Sequence, residues 1–183
     1  NMNFHSFSLL KTLVFSALIG LSAEAQMNPK LDEGQKVKSF PDQCIGTWKG
    51  MMYIYAYGNL RDSVQVELSV AKIDDNSWKW RTDYISEKMP VTKDYIMRRD
   101  PNSEHTFLLD EGDGVVLTNY LTGTKLYSNF ETEGILLGSS YEFIGGNLVF
   151  EVTSGKKLNE AEESGVTNFS VDFVQRVVLK KMR

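Results

Sequence analysis

From about residue 45 almost to the C-terminus, the chain consists of short segments in which apolar and polar residues alternate. In one of them, Val64, Val66 and Leu68 alternate with Gln65 and Glu67. Successive side chains of a β-strand point to opposite faces, so this pattern predicts strands with one buried face. A chain built of such segments is constrained to an all-β fold.

Clusters of turn-forming residues separate these segments. Glycine and asparagine adopt positive φ with little strain, as the tight turns of β-hairpins require. The clusters are Gly58-Asn59, Asp74-Asp75-Asn76, Gly112-Asp113-Gly114, Thr122-Gly123, Glu133-Gly134 and Gly145-Gly146-Asn147. The spacing predicts about ten strands. They lie near residues 45–57, 60–72, 77–85, 91–99, 105–110, 115–121, 124–132, 135–144, 147–153 and 168–182.

Consecutive hairpins make neighbouring strands antiparallel, because a parallel pair needs a crossover of about a dozen residues. An open sheet of about ten strands would expose two edges, and closure removes both. We therefore predict an antiparallel up-and-down meander of about ten strands that closes into a barrel. A two-sheet sandwich is the alternative, but it needs longer crossing connections than this chain offers.

The N-terminal residues have the pattern of a secretory signal peptide. Their apolar run at 12–21 is too short to span a bilayer, and Ala23-Glu24-Ala25 gives a small-x-small cleavage pattern. We expect cleavage before Gln26 and export to the periplasm or the exterior, with no transmembrane segment in the mature chain. The predicted organisation is a signal peptide at 1–25, a lead-in segment at 26–43 and a barrel domain at 44–183.

Charge and cysteine content exclude several classes of function. The net charge is −4 and the basic residues form no cluster, so the chain lacks the electrostatic signature of a nucleic-acid-binding protein. Cys44 is the single cysteine, which excludes an internal disulfide and predicts a small buried hydrophobic side chain. No ligand spacing indicates a metal site and no residue pair indicates acid–base chemistry. We therefore predict no catalytic residues, no metal and no cofactor.

Gly46-Thr47-Trp48 opens the first predicted strand, and cationic residues end the last one. This combination resembles the calycin superfamily, which includes lipocalins, fatty-acid-binding proteins and nitrobindin-like barrels. The resemblance implies that Trp48 plugs the closed end of the barrel and that a late cation packs across its ring. The candidates for that cation are Arg176, Lys180 and Lys181. We expect Arg176, because it lies deepest in the strand.

The resemblance also implies a small hydrophobic ligand inside the barrel. Bulky apolar and aromatic side chains are distributed around the predicted ring, and one or two polar groups from Arg176, Gln175 or Tyr141 would orient the ligand. The predicted ligand-binding residues are Met52, Ile54, Trp78, Trp80, Tyr84, Phe130, Tyr141, Phe173 and Gln175. The expected function is to carry a lipid-like or fatty-acid-like molecule without catalysis.

Two other functions stay open from the sequence. Nitrobindin-like barrels hold haem through a histidine near the C-terminus, and the last strand here contains none. A haem-binding sensor or isomerase would therefore have to use His105. A fully packed interior would instead favour a protein-interaction or inhibitor barrel, with Tyr53, Tyr55 and Tyr57 forming a stripe on its outer surface.

Overall fold

The computed structural model describes residues 38–158 and 165–183. Within them the chain forms one helix and ten strands: α1 Phe40–Cys44, β1 Gly46–Ala56, β2 Asn59–Asp74, β3 Ser77–Ile85, β4 Val91–Arg99, β5 Thr106–Gly112, β6 Val115–Thr122, β7 Lys125–Thr132, β8 Ile135–Ile144, β9 Asn147–Lys156 and β10 Phe173–Lys181. The predicted signal peptide at 1–25 and most of the predicted lead-in, residues 26–37, lie outside the described residues. No helix in the described part is long and apolar enough to cross a membrane.

The ten strands form one closed antiparallel barrel. Each strand pairs with the next along the chain, and β10 pairs with β1 to complete the ring. The predicted meander is confirmed and the sandwich alternative is wrong, because a single continuous ring of strand pairs replaces two facing sheets. Closure satisfies the hydrogen-bonding groups that β1 and β10 would otherwise expose as sheet edges.

The last strand begins later than the predicted range of 168–182, at Phe173. The residues before it still run beside β9, since the Ser170 amide donates to the Lys156 carbonyl at 2.8 Å. A Cβ atom at Gly155 would lie 1.7 Å from the backbone oxygen of Ser170. The two segments therefore approach too closely for a regular ladder, and Gly155 is what permits that approach.

The pairing register identifies the inner face of the barrel. Met52 is paired with Val177, Val177 with Phe150, Phe150 with Tyr141, and Tyr141 with Leu126. Directly paired residues lie on the same face of a sheet. Since four of these five side chains are buried and Phe150 packs against them, this face is the interior.

Helix α1 covers one end of the barrel, which we call the closed end. The Trp48 indole N–H donates to the Cys44 carbonyl at 2.7 Å, which satisfies an acceptor at the end of the helix. Phe143 lies 5.3 Å from Phe40 and 6.0 Å from Trp48 between ring centroids. Phe40, Cys44 and Trp48 are buried, and burial raises the pKa of the Cys44 thiol. The opposite end, where β1 turns into β2, is the mouth.

The ladder between β6 and β7 is the shortest in the ring. It holds three residue pairs, all near the closed end, of which Tyr120 with Tyr127 is the last toward the mouth. Beyond this pair, the Ser128 hydroxyl donates to the Thr118 carbonyl at 2.8 Å, and the side-chain amide of Asn119 donates to the Leu117 carbonyl at 3.0 Å. Side chains thus satisfy carbonyls that the ladder leaves open.

Candidate ligand-binding site

The half of the interior next to the closed end is a packed core. Trp48, Trp78, Met97, Phe107 and Leu179 are each at most 3% exposed. Trp78 and Phe107 meet edge to face at 6.2 Å. Protein cores packed in this way contain few voids larger than a water molecule. This half therefore stabilises the barrel and offers no space for a ligand.

The cation over the Trp48 ring is Lys181, whose ammonium nitrogen lies 5.2 Å from the ring centroid. The two residues are direct partners in the β1–β10 ladder. Gly46 makes room for the lysine, because a Cβ there would lie 2.9 Å from the Lys181 Cε. Its φ of +122° is also strained for any residue with a side chain. The Gly-x-Trp motif therefore supplies Trp48 and, through Gly46, the space for the Lys181 side chain that covers its ring.

The expectation that Arg176 performs this role is wrong. Arg176 lies on the outer face of β10, where its Nε is 3.3 Å from an oxygen of Glu151. Its partner in β1 is Tyr53, an outward residue. Side chains one position apart in a strand point to opposite faces, so Arg176 cannot share the interior with Gln175 and Val177 on either side of it. It is also excluded from orienting a ligand inside the barrel.

Helix α1 is joined to the barrel core by a partly buried polar contact. The Trp78 indole N–H donates to Asp42 at 2.9 Å, and the Ser39 hydroxyl donates to the same carboxylate at 2.8 Å. Burial alone would raise the pKa of Asp42. Those two hydrogen bonds and the charge of Lys72 outweigh burial and leave the pKa below its ordinary value. Asp42 is thus ionised and holds α1 against the barrel. It accepts a hydrogen bond from the indole N–H, which is the only hydrogen-bond donor of the Trp78 side chain.

Three aromatic side chains cross the interior at mid-height. The Trp80 indole N–H donates to the Tyr141 hydroxyl at 3.2 Å, with the two rings edge to face at 5.3 Å. Tyr141 stacks on Phe150 at 4.3 Å. Burial raises the pKa of Tyr141, so the phenol is neutral. Because Trp80 in β3 and Tyr141 in β8 come from distant strands of the ring, this aromatic layer closes the core from above.

Inward-facing residues between the aromatic layer and the mouth are only partly buried. Ile54 pairs with Gln175, Gln175 with Val152, and Phe130 with Leu137, which places all five on the inner face. All five keep part of their surface accessible to solvent. Because these side chains face inward yet remain accessible, solvent reaches the space inside the barrel toward the mouth. We call this space the upper chamber; Ser139 and Ser154 add hydroxyl groups to its wall.

The opposite wall of the upper chamber is aromatic and charged. The Lys93 ammonium lies 5.9 Å from the ring centroids of both Tyr84 and Tyr95. Burial, together with the nearby charge of Glu111 and a hydrogen bond to it, raises the pKa of Tyr95 to about 12. Burial likewise raises the pKa of Tyr84. This wall therefore presents two neutral phenols, one cation and one carboxylate.

The predicted ligand-binding residues occupy four different levels of the barrel. Ile54, Tyr84, Phe130 and Gln175 line the upper chamber, and Trp80 and Tyr141 belong to the aromatic layer. Met52 and Trp78 are fully buried in the core. Phe173 lies at the mouth, 44% exposed, with its ring 5.8 Å from that of Tyr57. Contact with a ligand stays a prediction for all of them.

Sequence reasoning missed two polar residues of the site. Lys93 pairs with the inward-facing Thr82, and Glu111 follows the inward-facing Leu109 by two positions. The signal was present, because Lys93 alternates in phase with Tyr95 and Met97. Lys93 was missed because the predicted ligand-binding residues were chosen mainly for their apolar character, and a charged residue on the same face does not meet that criterion.

Two other predicted features lie away from the chamber. His105 is exposed in the connection before β5, where its carbonyl accepts from the Leu121 amide at 2.7 Å. It lies at the closed end, so its position does not suit a haem held in the chamber. Tyr53 and Tyr55 are exposed on the outer face of β1, as the tyrosine stripe requires, while Tyr57 belongs to the turn at the mouth.

A polar recess of about 770 Å³ lies outside the barrel at the closed end. Arg98, Arg99, Asp74, Asp100 and Glu104 contribute charges of both signs to its lining. Arg98 is already paired with Asp110 at 2.7 Å. A half-open recess with this lining does not suit a hydrophobic molecule, so the upper chamber is the candidate site.

No protein-family model and no curated protein matches the sequence, whereas a comparison with solved structures found matches. An S-type phycobiliprotein lyase, CPES from Guillardia theta, is 8% identical with a TM-score of 0.58, covering 79% of this chain and 91% of that chain. Rv2717c from M. tuberculosis is 13% identical with a TM-score of 0.49, covering 77% and 94%. Fatty-acid-binding protein 1 of Echinococcus granulosus is 12% identical with a TM-score of 0.39, covering 77% and 98%. The chain thus shares the β-barrel fold of the phycobiliprotein lyase, and its closed antiparallel barrel confirms the predicted meander.

Proposed function

We propose that the protein binds a small hydrophobic molecule in the upper chamber and carries it without chemical change. One observation carries the proposal: most inward-facing side chains below the aromatic layer are buried, whereas Ile54, Phe130, Leu137, Val152 and Gln175 above it remain partly accessible. A barrel whose only role was structural would gain stability by filling that space. Ile54, Phe130, Leu137 and Val152 give the wall its apolar character.

The expected affinity follows from apolar burial. Each buried methylene group contributes about 0.8 kcal/mol, so a chain of about twelve carbons contributes roughly 10 kcal/mol before the entropy of association is subtracted. Micromolar binding needs about 8 kcal/mol net. A ligand therefore has to bury most of an extended apolar body, which favours lipid-like molecules over small polar ones.

Filling the upper chamber should weaken ligand binding. Ser139 and Ser140 are neighbours in β8, and Ser139 faces inward as the partner of Val152. We expect Ser139→Phe to weaken binding of the neutral dye Nile red at least about tenfold, since a new ring would occupy the chamber. The matched variant Ser140→Phe places the same ring on the outer face and should leave affinity unchanged. Fluorescence titration measures both, and thermal unfolding checks that each variant folds.

Three results of that titration would contradict the proposal. One is the absence of saturable one-to-one binding by the unchanged protein. The second is equal loss of affinity in the two folded variants, and the third is no loss in either. The first of these would favour a protein-interaction barrel instead.

We further propose that the carrier works outside the cytoplasm. The support is the apolar run at 12–21 followed by Ala23-Glu24-Ala25. Expression of the full chain in a bacterial host should release a product whose intact mass corresponds to a chain starting at Gln26. A full-length product retained in the cytoplasm would contradict export without affecting the binding proposal.

A further inference from the structure

Lys93 is a charged residue on the inner face of the barrel, a placement that it shares with Lys181 at the closed end. It lies on the inner face of β4, paired with the buried Thr82, and reaches the mouth between Tyr84 and Tyr95. Its ammonium nitrogen is 5.9 Å from each ring centroid, within the range of a favourable cation–π contact. The two rings restrict the position of the ammonium group, so the charge is held at the entrance to the upper chamber.

Four lysines of the barrel strands form ion pairs with carboxylates. Among them, Lys79 in the neighbouring strand lies 3.2 Å from Asp94, and Lys49 lies 2.7 Å from Glu67. Lys93, like Lys180 in β10, forms no ion pair with a carboxylate of the described residues. The strand thus places a paired carboxylate outward at Asp94 and an unpaired ammonium inward at the adjacent position.

We propose that the ligand is an amphipathic anion, whose charged head pairs with Lys93 at the mouth while its apolar tail fills the upper chamber. This inference rests on the proposed carrier function. The two walls of the chamber suit the two ends of such a ligand. The wall formed by Phe130, Leu137 and Val152 is apolar and suits the tail, whereas the wall that carries Lys93 opens to solvent and suits the charged head. An extended molecule with one charged end fits both parts at once.

Glu111 does not cancel this preference. Its carboxylate lies near Tyr95 and, after burial, helps to raise the pKa of that phenol. Repulsion between charges that are separated by several ångströms and exposed to solvent is screened by water and salt. A direct hydrogen bond between an ammonium group and a carboxylate contributes about 1.5–3 kcal/mol, which corresponds to roughly 10–100-fold in affinity. The partial exposure of the mouth places the expected effect near the lower value.

Paired ligands that differ only in their charge test the inference. Dodecanoate and dodecanol share one chain length, and each can displace Nile red from the full chain. In Lys93→Gln we expect dodecanoate to bind about tenfold more weakly and dodecanol to bind as before. Lys93→Arg keeps the cation and should retain most of the affinity for dodecanoate. Lys79→Gln removes an outward lysine from the adjacent strand and should change neither ligand.

The outcomes separate this inference from the carrier proposal. If Nile red binds but Lys93→Gln weakens both ligands alike, or weakens neither, the anionic ligand class is wrong and the carrier remains. The same conclusion follows if the unchanged protein binds dodecanol but not dodecanoate. If neither Nile red nor either ligand binds the unchanged protein, the carrier proposal fails and this inference fails with it.

Discussion

Replacing Trp48 with alanine is expected to lower the free energy of unfolding by about 3–5 kcal/mol, the range found for buried tryptophan and phenylalanine side chains. Trp48 is 3% exposed, packs against Phe143 and donates a hydrogen bond to Cys44. The truncation would leave a cavity beneath α1 and an unpaired carbonyl at the end of the helix. Urea unfolding followed by circular dichroism measures the change.

Two variants define what the Trp48 result means. Tyr55→Ala removes an aromatic ring from the outer face of the same strand, where the residue is 37% exposed, and should destabilise by about 1 kcal/mol or less. Trp48→Phe keeps most of the packing and loses the hydrogen bond to Cys44, so an intermediate loss is expected. A loss below about 0.5 kcal/mol in Trp48→Ala would mean that this residue does not seal the closed end.

Adding one methyl group at Gly50 is expected to destabilise the barrel by about 2–3 kcal/mol. The new Cβ would lie 2.3 Å from the backbone oxygen of Val178 and 2.8 Å from a methyl carbon of Val177. Backbone atoms of a paired strand cannot rotate away, so β1 and β10 would have to separate where they close the ring. The melting temperature of Gly50→Ala, compared with that of the unchanged protein, measures the effect.

Gly138→Ala is the matched control for Gly50→Ala. Both glycines lie within strands, and neither has positive φ. A Cβ at Gly138 would lie 3.0 Å from the Asn129 Oδ1 and 3.1 Å from the Thr153 Oγ1. These are ends of side chains that can turn aside, so a loss below about 1 kcal/mol is expected. Equal losses in the two variants would show that the close approach of β1 and β10 has no special role.

Local patterns were sufficient to predict the strands. Alternation and turn residues placed the third strand at 77–85 and the fourth at 91–99, and the structure has the same bounds. The turns follow from backbone chemistry, since Gly58 and Gly123 have positive φ where hairpins require it. A meander needs no information beyond consecutive pairing, which is why its topology could also be predicted.

Contacts across the barrel were the part that local patterns could not predict. Trp78 and Trp80 lie on the same face of β3 and look equivalent in sequence. The Trp78 indole nevertheless donates to Asp42 of α1, whereas the Trp80 indole donates to Tyr141 in the aromatic layer. Those partners come from distant parts of the chain. The cation over Trp48 was misassigned for a related reason. Alternation alone puts Lys181 in phase with Leu179, but the register between β1 and β10 decides which cation meets the indole.

Closure by β1 and β10 has a consequence for the order of assembly. Every other ladder joins neighbouring strands through a connection that is local in sequence, whereas Trp48 and Lys181 are separated by nearly the whole barrel chain. The entropy of bringing two chain segments together grows with the length between them. The pair that holds the closed end therefore forms late, after the hairpins exist. Interactions that form late chiefly slow unfolding, so the Gly-x-Trp motif sets the lifetime of the closed barrel more than the speed at which it forms.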